Sequence, residues 1–305
     1  MSPSAPTPAP EERDRANSGT IQPRRVLVTV MLPAVCALLV VLTAALAPAE
    51  ERTPILWSSL IAAASGLAAT SIGVYGGVLV PGLLLLGVDA RFAAAVSLFL
   101  QVLVIPLGAG AHVRLGNVTR HVAIPLVAGG VVGAFVGPFC SGALPKESIA
   151  RVVAGSIVVV GLLVLATLRF GGLARPARVE DVSRAKIGSV GLVAGFASGV
   201  SGAGWGPIGV KLLLLLGIEP RQAIGSSLLG RVFMSLSAVI GYLVSENAFR
   251  DIRPDLWLLV PLFVGSIATM ITGVGLVHRM QRERAVVFIT LLSIALALPT
   301  LIRGH

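Results

Sequence analysis

The sequence predicts an all-α polytopic membrane protein with about eight or nine hydrophobic segments. Three observations predict it. Of 305 residues, 55% are hydrophobic and 12% are charged, about half the charged share of an ordinary soluble domain. The apolar residues fall in runs of about 20, the length that crosses a bilayer core. The period-two alternation of a transmembrane barrel is absent from those runs.

The elements follow in order. Residues 1–23 are rich in Pro, Ser, Ala and charge and read as a disordered cytoplasmic tail. Arg24 and Arg25 precede an apolar run from Val26 to Ala47. Ala45-Leu46-Ala47 has the look of a signal-peptidase site, but the run is a full span, longer than the usual 7–15 residues of a signal core. Residues 24–47 therefore read as an extra, retained transmembrane helix. Further apolar runs cover 55–87, 91–113, 121–144, 148–170, 186–217, 222–245, 254–278 and 284–302. A polar linker, 171–185, separates a first unit, 55–170, from a second, 186–302.

The formal charge of +10 would suggest nucleic acid in a soluble chain. Here the basic residues sit mostly in short loops between apolar runs, as the positive-inside rule requires. The expected partner is the lipid bilayer, not nucleic acid. Cys36 and Cys140 lie inside apolar runs and form neither a metal spacing nor a disulfide framework. No HExxH, GxSxG or cluster of His, Asp and Cys occurs, so neither an enzyme nor a cofactor is expected.

The two longest runs resemble each other. The first reads GLAATSIGVYGGVLVPGLLLLGVDARFAAAVSL from Gly66, the second GFASGVSGAGWGPIGVKLLLLLGIEPRQAIGSSL from Gly195. Gly73 matches Gly202. After a one-residue shift Asp89 matches Glu219, Arg91 matches Arg221, Ser97 matches Ser227 and Gln101 matches Arg231. Each half then adds three more hydrophobic segments, giving two homologous four-segment halves behind one leading helix.

The twice-used glycine-broken segment, leucine run and G-[VI]-[DE]-x-R-x-A turn resemble the sulfite exporter TauE/SafE family of membrane transporters. The stretch GAGWGPIGVKLLLLLGIEPRQAIGSS carries the likeness best and is similar to the GGGWGP form of some members. The resemblance covers 57–302. Two departures bear on substrate: the first copy has GVYGG where consecutive glycines are common, and Lys211 stands where a proline is common. The resemblance implies a bacterial inner-membrane transporter of sulfite or a small sulfur-containing organic anion.

The residues alone imply a site. Gly202, Gly204, Gly206 and Pro207 fall within six residues and should interrupt the helix. Broken backbone at membrane depth is tolerated where it is buried in protein or lines a wet cavity. A half-helix restarting near Pro207 would aim free N–H groups and a positive dipole end at an anion. Paired breaks in two halves point to a transporter's binding site. The candidate site is Gly73, Gly76, Gly77, Pro81 and Gln101 from the first half. The second half gives Gly202, Gly204, Trp205, Gly206, Pro207, Lys211 and Arg231.

The acidic residues all fall in the tail, in loops or at helix ends. The deeper ionisable groups are Lys211 and Arg231. A cation at a helix centre costs about 2.5–3.5 kcal/mol on insertion scales and normally faces the bundle interior. An interior with basic groups and no carboxylate favours a small anionic substrate. Competing readings stand beside each assignment. Lys211 can contact ligand or snorkel to an interface. Arg231 can bind substrate or bond freed carbonyls. Gln101 can line the cavity or make an interhelical hydrogen bond. Close helix packing also explains glycines without any pocket. Asp89 and Glu219 read as helix-start residues.

Loop charge also bears on topology. If each long run crosses once, the loop cations tie between the two sides. If each is a hairpin broken at its glycines, the inside carries roughly twice the outside count. The halves are then inverted, with Arg91 and Arg221 on opposite faces. The reading is a multi-pass anion transporter working by alternating access, with self-association left open. The rival readings are an anion channel and a non-transporting membrane scaffold.

Overall fold

A computed structural model describes residues 31–143, 145–170, 178–203, 205–245, 256–276 and 282–303. The N-terminal residues 1–30, Gly204 and most of the linker lie outside the described residues. The described chain is helical throughout its regular structure. The helices are α1 (Leu32–Leu46), α2 (Ala49–Ile72), α3 (Gly76–Leu85), α4 (Ala90–Arg114), α5 (Arg120–Gly142) and α6 (Lys146–Phe170). After them come α7 (Arg184–Ser201), a wide π-type stretch (Trp205–Val210), α8 (Lys211–Leu215), α9 (Pro220–Val244), α10 (Leu256–Leu276) and α11 (Arg282–Arg303).

Among the described residues four helices are long and apolar enough to cross a membrane: Ala49–Ser71, Ala90–Arg114, Arg120–Gly142 and Arg221–Val244. Several shorter apolar helices accompany them. Leu38, Leu60, Val132 and Leu163 are each more than half exposed. In a bilayer these large side chains face acyl chains, where they need no cover.

Both long runs break at a glycine in the left-handed region. Gly73 has φ 75° and ends α2; Gly202 has φ 64° and ends α7. Only glycine adopts that backbone without a Cβ clash. Beyond each break the chain doubles back. The Ile61 side chain sits against Gly82, so α3 returns alongside α2. Gly209 sits against Ala194, so the π-type stretch returns along α7. A continuous helix at 1.5 Å per residue would hold Ile61 and Gly82 about 30 Å apart. The hairpins are unequal: 24 residues out and 10 back in the first.

The packing exchanges elements between the halves. α5 lies along α7 on a seam of small residues. Gly129 and Gly133 meet the Leu192 backbone, and Gly137 meets Gly199. From α7, Gly191, Gly195 and Gly199 meet the α5 backbone at Leu126, Gly130 and Ala134. Glycines four apart on both helices let two backbones touch, which is the close-packing device of membrane helices. The equivalent contact in the other direction is α2 along α10. There Gly265 meets Ser59, and the Thr269 hydroxyl donates to the Ala63 carbonyl.

α4 and α9 run antiparallel. The start of α9 meets the end of α4: Gly225 abuts Asn117, and Ser226 Oγ accepts from the Thr119 N–H at 3.1 Å. At the other end, Tyr242 lies beside Ser141 and Arg91. Arg91 and Arg221 therefore stand at opposite ends of the bundle.

Candidate functional site

The two breaks touch each other. A Cβ on Gly76 would collide with the Gly202 carbonyl, and one on Gly206 with the Gly73 carbonyl. Nothing larger than glycine fits at either place, because the obstacle is backbone. The contact is buried, as are Gly73, Gly76, Gly77, Gly202 and Gly206 themselves.

Ending a helix at a break leaves carbonyls without partners, and burial makes each one costly. Side chains of the opposite half supply the donors. Ser97 Oγ donates to the Gly202 carbonyl at 3.0 Å, and Gln101 Nε2 donates to the same oxygen at 3.3 Å. Gln101 Nε2 also lies 3.1 Å from both Ser97 O and Ser97 Oγ. In the other direction, Arg231 Nη2 donates to the Gly73 carbonyl. Gln101 and Arg231, matched in the sequence alignment, thus cap each other's breaks across the halves. Of the two readings of Gln101, the interhelical hydrogen bond is present. Arg231 bonds a freed carbonyl.

Arg231 has donors to spare. It is 2% exposed, and its Nε and Nη1 have no hydrogen-bond partner. One helical turn earlier, fully buried Ser227 Oγ also lacks a partner, although its counterpart Ser97 is engaged. Trp205 is 2% exposed with Nε1 unpartnered; its ring packs beside Gly209. Buried donors without acceptors are rare in folded proteins. Among the described buried side chains none is a carboxylate.

The other expected residues are placed as follows. Pro81 is the sixth residue of α3, buried on the returning limb beyond the break itself. Pro207 lies inside the π-type stretch, so helical winding resumes at Trp205 rather than at Pro207. Lys211 opens α8, five residues before the turn at Leu216; its side chain and that of Pro207 lie outside the described residues. Asp89 caps α4, accepting from the Arg91 and Phe92 N–H groups at 3.0 and 3.3 Å. Glu219 precedes α9 without a side-chain cap bond. Tyr75 follows the first break, and its hydroxyl lies 2.7 Å from Ser266 Oγ, tying the break to α10. Ser97 and Ser227 enter the sequence comparison only as a matching pair. Their hydroxyl chemistry becomes visible once α4 and α9 lie against the breaks.

The depth of the contact follows from position. Gln101 is the twelfth of 25 residues in α4, and Arg231 the twelfth of 25 in α9. Each lies about 16 Å from the start of its helix, near the middle of a bilayer core. The arrangement brings unpartnered hydrogen-bond donors and one basic side chain to the contact between the breaks.

The family described as "Sulfite exporter TauE/SafE" matches residues 18–164 and 59–299 of the chain. Two proteins of Bacillus subtilis (strain 168) are similar to it. One is named "Probable membrane transporter protein YtnM", 29% identical over 208 residues, covering 67% of this chain and 68% of that protein. The other is named "Probable membrane transporter protein YdhB", 28% identical over 193 residues, covering 60% and 74% respectively. With its multi-pass helices and a family match that takes in both breaks and runs from before α1 into α11, the chain belongs to the TauE/SafE family of membrane transporters.

Proposed function

We propose that the protein carries a small anion across the bacterial inner membrane by alternating access, with sulfite or a small sulfur-containing organic anion as substrate. The observation that carries this reading is Arg231. It is a guanidinium buried at mid-helix, with no buried carboxylate among the described residues and two nitrogens unpartnered. A fixed cation at that depth is costly and is retained where it serves function. Ser227 and Trp205 add neutral donors near the same contact, and Lys211 adds charge at the second hairpin.

The moving parts are two inverted halves that rock about the Gly73–Pro81 and Gly202–Lys211 segments. Antiparallel α4 and α9, left-handed glycines at both breaks and reciprocal caps support this reading. Discontinuous helices meeting at the midplane of inverted repeats are a recurrent carrier design.

The test is uptake of labelled sulfite into proteoliposomes preloaded with unlabelled sulfite, by wild type and Lys211→Ala. The expected result is saturable uptake, competed by sulfonates and reduced in the variant. Flux that rises linearly with concentration assigns an anion channel instead. No flux across a panel of small anions, from folded protein, leaves the scaffold reading.

A further inference from the structure

We propose that the protein is an anion exchanger, in which the carrier returns across the membrane only when an anion occupies Arg231. The inference rests on the carrier reading above and concerns how the site moves.

Arg231 and Gln101 fill matching places with different chemistry. Both stand at the same depth, and both donate to the carbonyl of the opposite break. Gln101 does so with a neutral amide. Capping therefore requires an N–H and does not require a charge. The guanidinium brings five N–H donors on three nitrogens, and of these nitrogens Nη2 alone is engaged. It stays charged at neutral pH.

Among the described residues no buried carboxylate balances that charge. Asp89 and Glu219 precede α4 and α9, each twelve residues from its midpoint residue, about 18 Å along the helix. Arg231, Ser227 and Trp205 are each at most 2% exposed, so closure of the protein around the breaks removes water from this cation.

An alternating-access cycle passes twice through such a closed state. With an anion bound, closure buries a neutralised pair. Without one, closure strips water from a lone cation, a step that attraction to a partner does not offset. The loaded return is fast and the unloaded return is slow. Outward movement of one anion then depends on an anion arriving from the other side. Each tenfold difference in rate corresponds to about 1.4 kcal/mol of barrier.

The experiment uses proteoliposomes of the full chain, loaded with labelled sulfite, with the membrane potential clamped by valinomycin and equal potassium. They are diluted into external sulfite or into gluconate of equal ionic strength. Label should leave about tenfold faster or more into sulfite. In Arg231→Gln, which keeps an amide donor for Gly73, the two rates should converge. In Arg231→Lys, which keeps the charge, the ratio should persist. Equal, saturable efflux under both conditions in wild type overturns exchange and leaves the carrier reading standing. Absence of efflux under both conditions, from folded protein, removes the carrier reading and exchange together. Where Arg231→Gln does not fold, the wild-type ratio and Arg231→Lys decide.

Discussion

Arg231 and Gln101 occupy the same position, the twelfth residue, of two antiparallel 25-residue helices, and each caps the helix break of the other half. Removing the two side chains should therefore have unequal effects. Gln101→Ala leaves Ser97 Oγ on the Gly202 carbonyl, whereas Arg231→Ala leaves no described donor on Gly73. An unsatisfied buried acceptor costs about 1–3 kcal/mol. Thermal unfolding in detergent should show Arg231→Ala as the less stable variant, with sulfite uptake lost in it and retained in part by Gln101→Ala.

The contact between breaks tolerates no added atom. Gly76→Ala drives a methyl group into the Gly202 backbone, whereas Gly82→Ala meets only the Ile61 side chain, which can shift. The first should cost about 1–3 kcal/mol and abolish transport. The second should be milder in both respects. Melting temperature and uptake, measured on the same preparations, separate the two.

The α5–α7 seam makes a prediction about assembly. Gly133→Val places its side chain on the Leu192 carbonyl and forces the helices apart. Gly110→Ala has nothing within 4 Å. Size-exclusion chromatography of the solubilised protein should show loss of the monodisperse peak for the former and an unchanged peak for the latter.

Asp89 and Glu219 look equivalent in sequence and differ in contacts. Asp89 accepts two N–H groups at the start of α4; Glu219 accepts none at the start of α9. Asp89→Ala should cost about 1 kcal/mol, and Glu219→Ala a few tenths at most. Paired thermal melts check the difference.

Opposite orientation of the halves is open to labelling. Of cysteines placed one at a time at Arg91 and Arg221, one should react with a membrane-impermeant maleimide in intact cells and the other only after permeabilisation. Labelling of both from one side would overturn the inverted arrangement.

Much of this was legible in the residues because membrane helices report themselves by length and apolarity. Runs ended where glycine, proline or charge ended them, and the breaks at Gly73 and Gly202 fell where glycine density placed them. The acid–x–Arg turns correctly marked the starts of α4 and α9. Partner choice was not legible. The glycines of α5 carry a four-residue spacing that signals close packing, but nothing in them says that the partner is α7. Ser97 and Ser227 are ordinary in sequence, since a hydroxyl in a helix usually bonds its own preceding turn. Ser97 matters because it faces a backbone carbonyl 105 residues away, and Ser227 because its buried hydroxyl has no partner. The restart of the second break also differed, because a π-type stretch absorbs Pro207 instead of a regular helix beginning there.

The exchange of helices between halves bears on how the chain is made. Ser59 of α2 finds its neighbour Gly265 of α10 only after 206 further residues have been synthesised. At typical translation rates of about 5–20 residues per second, α2 waits some ten to forty seconds in the membrane with its small-residue face uncovered. The face of α2 that receives α10 is therefore made long before its cover, and the contact closes only when the second half arrives.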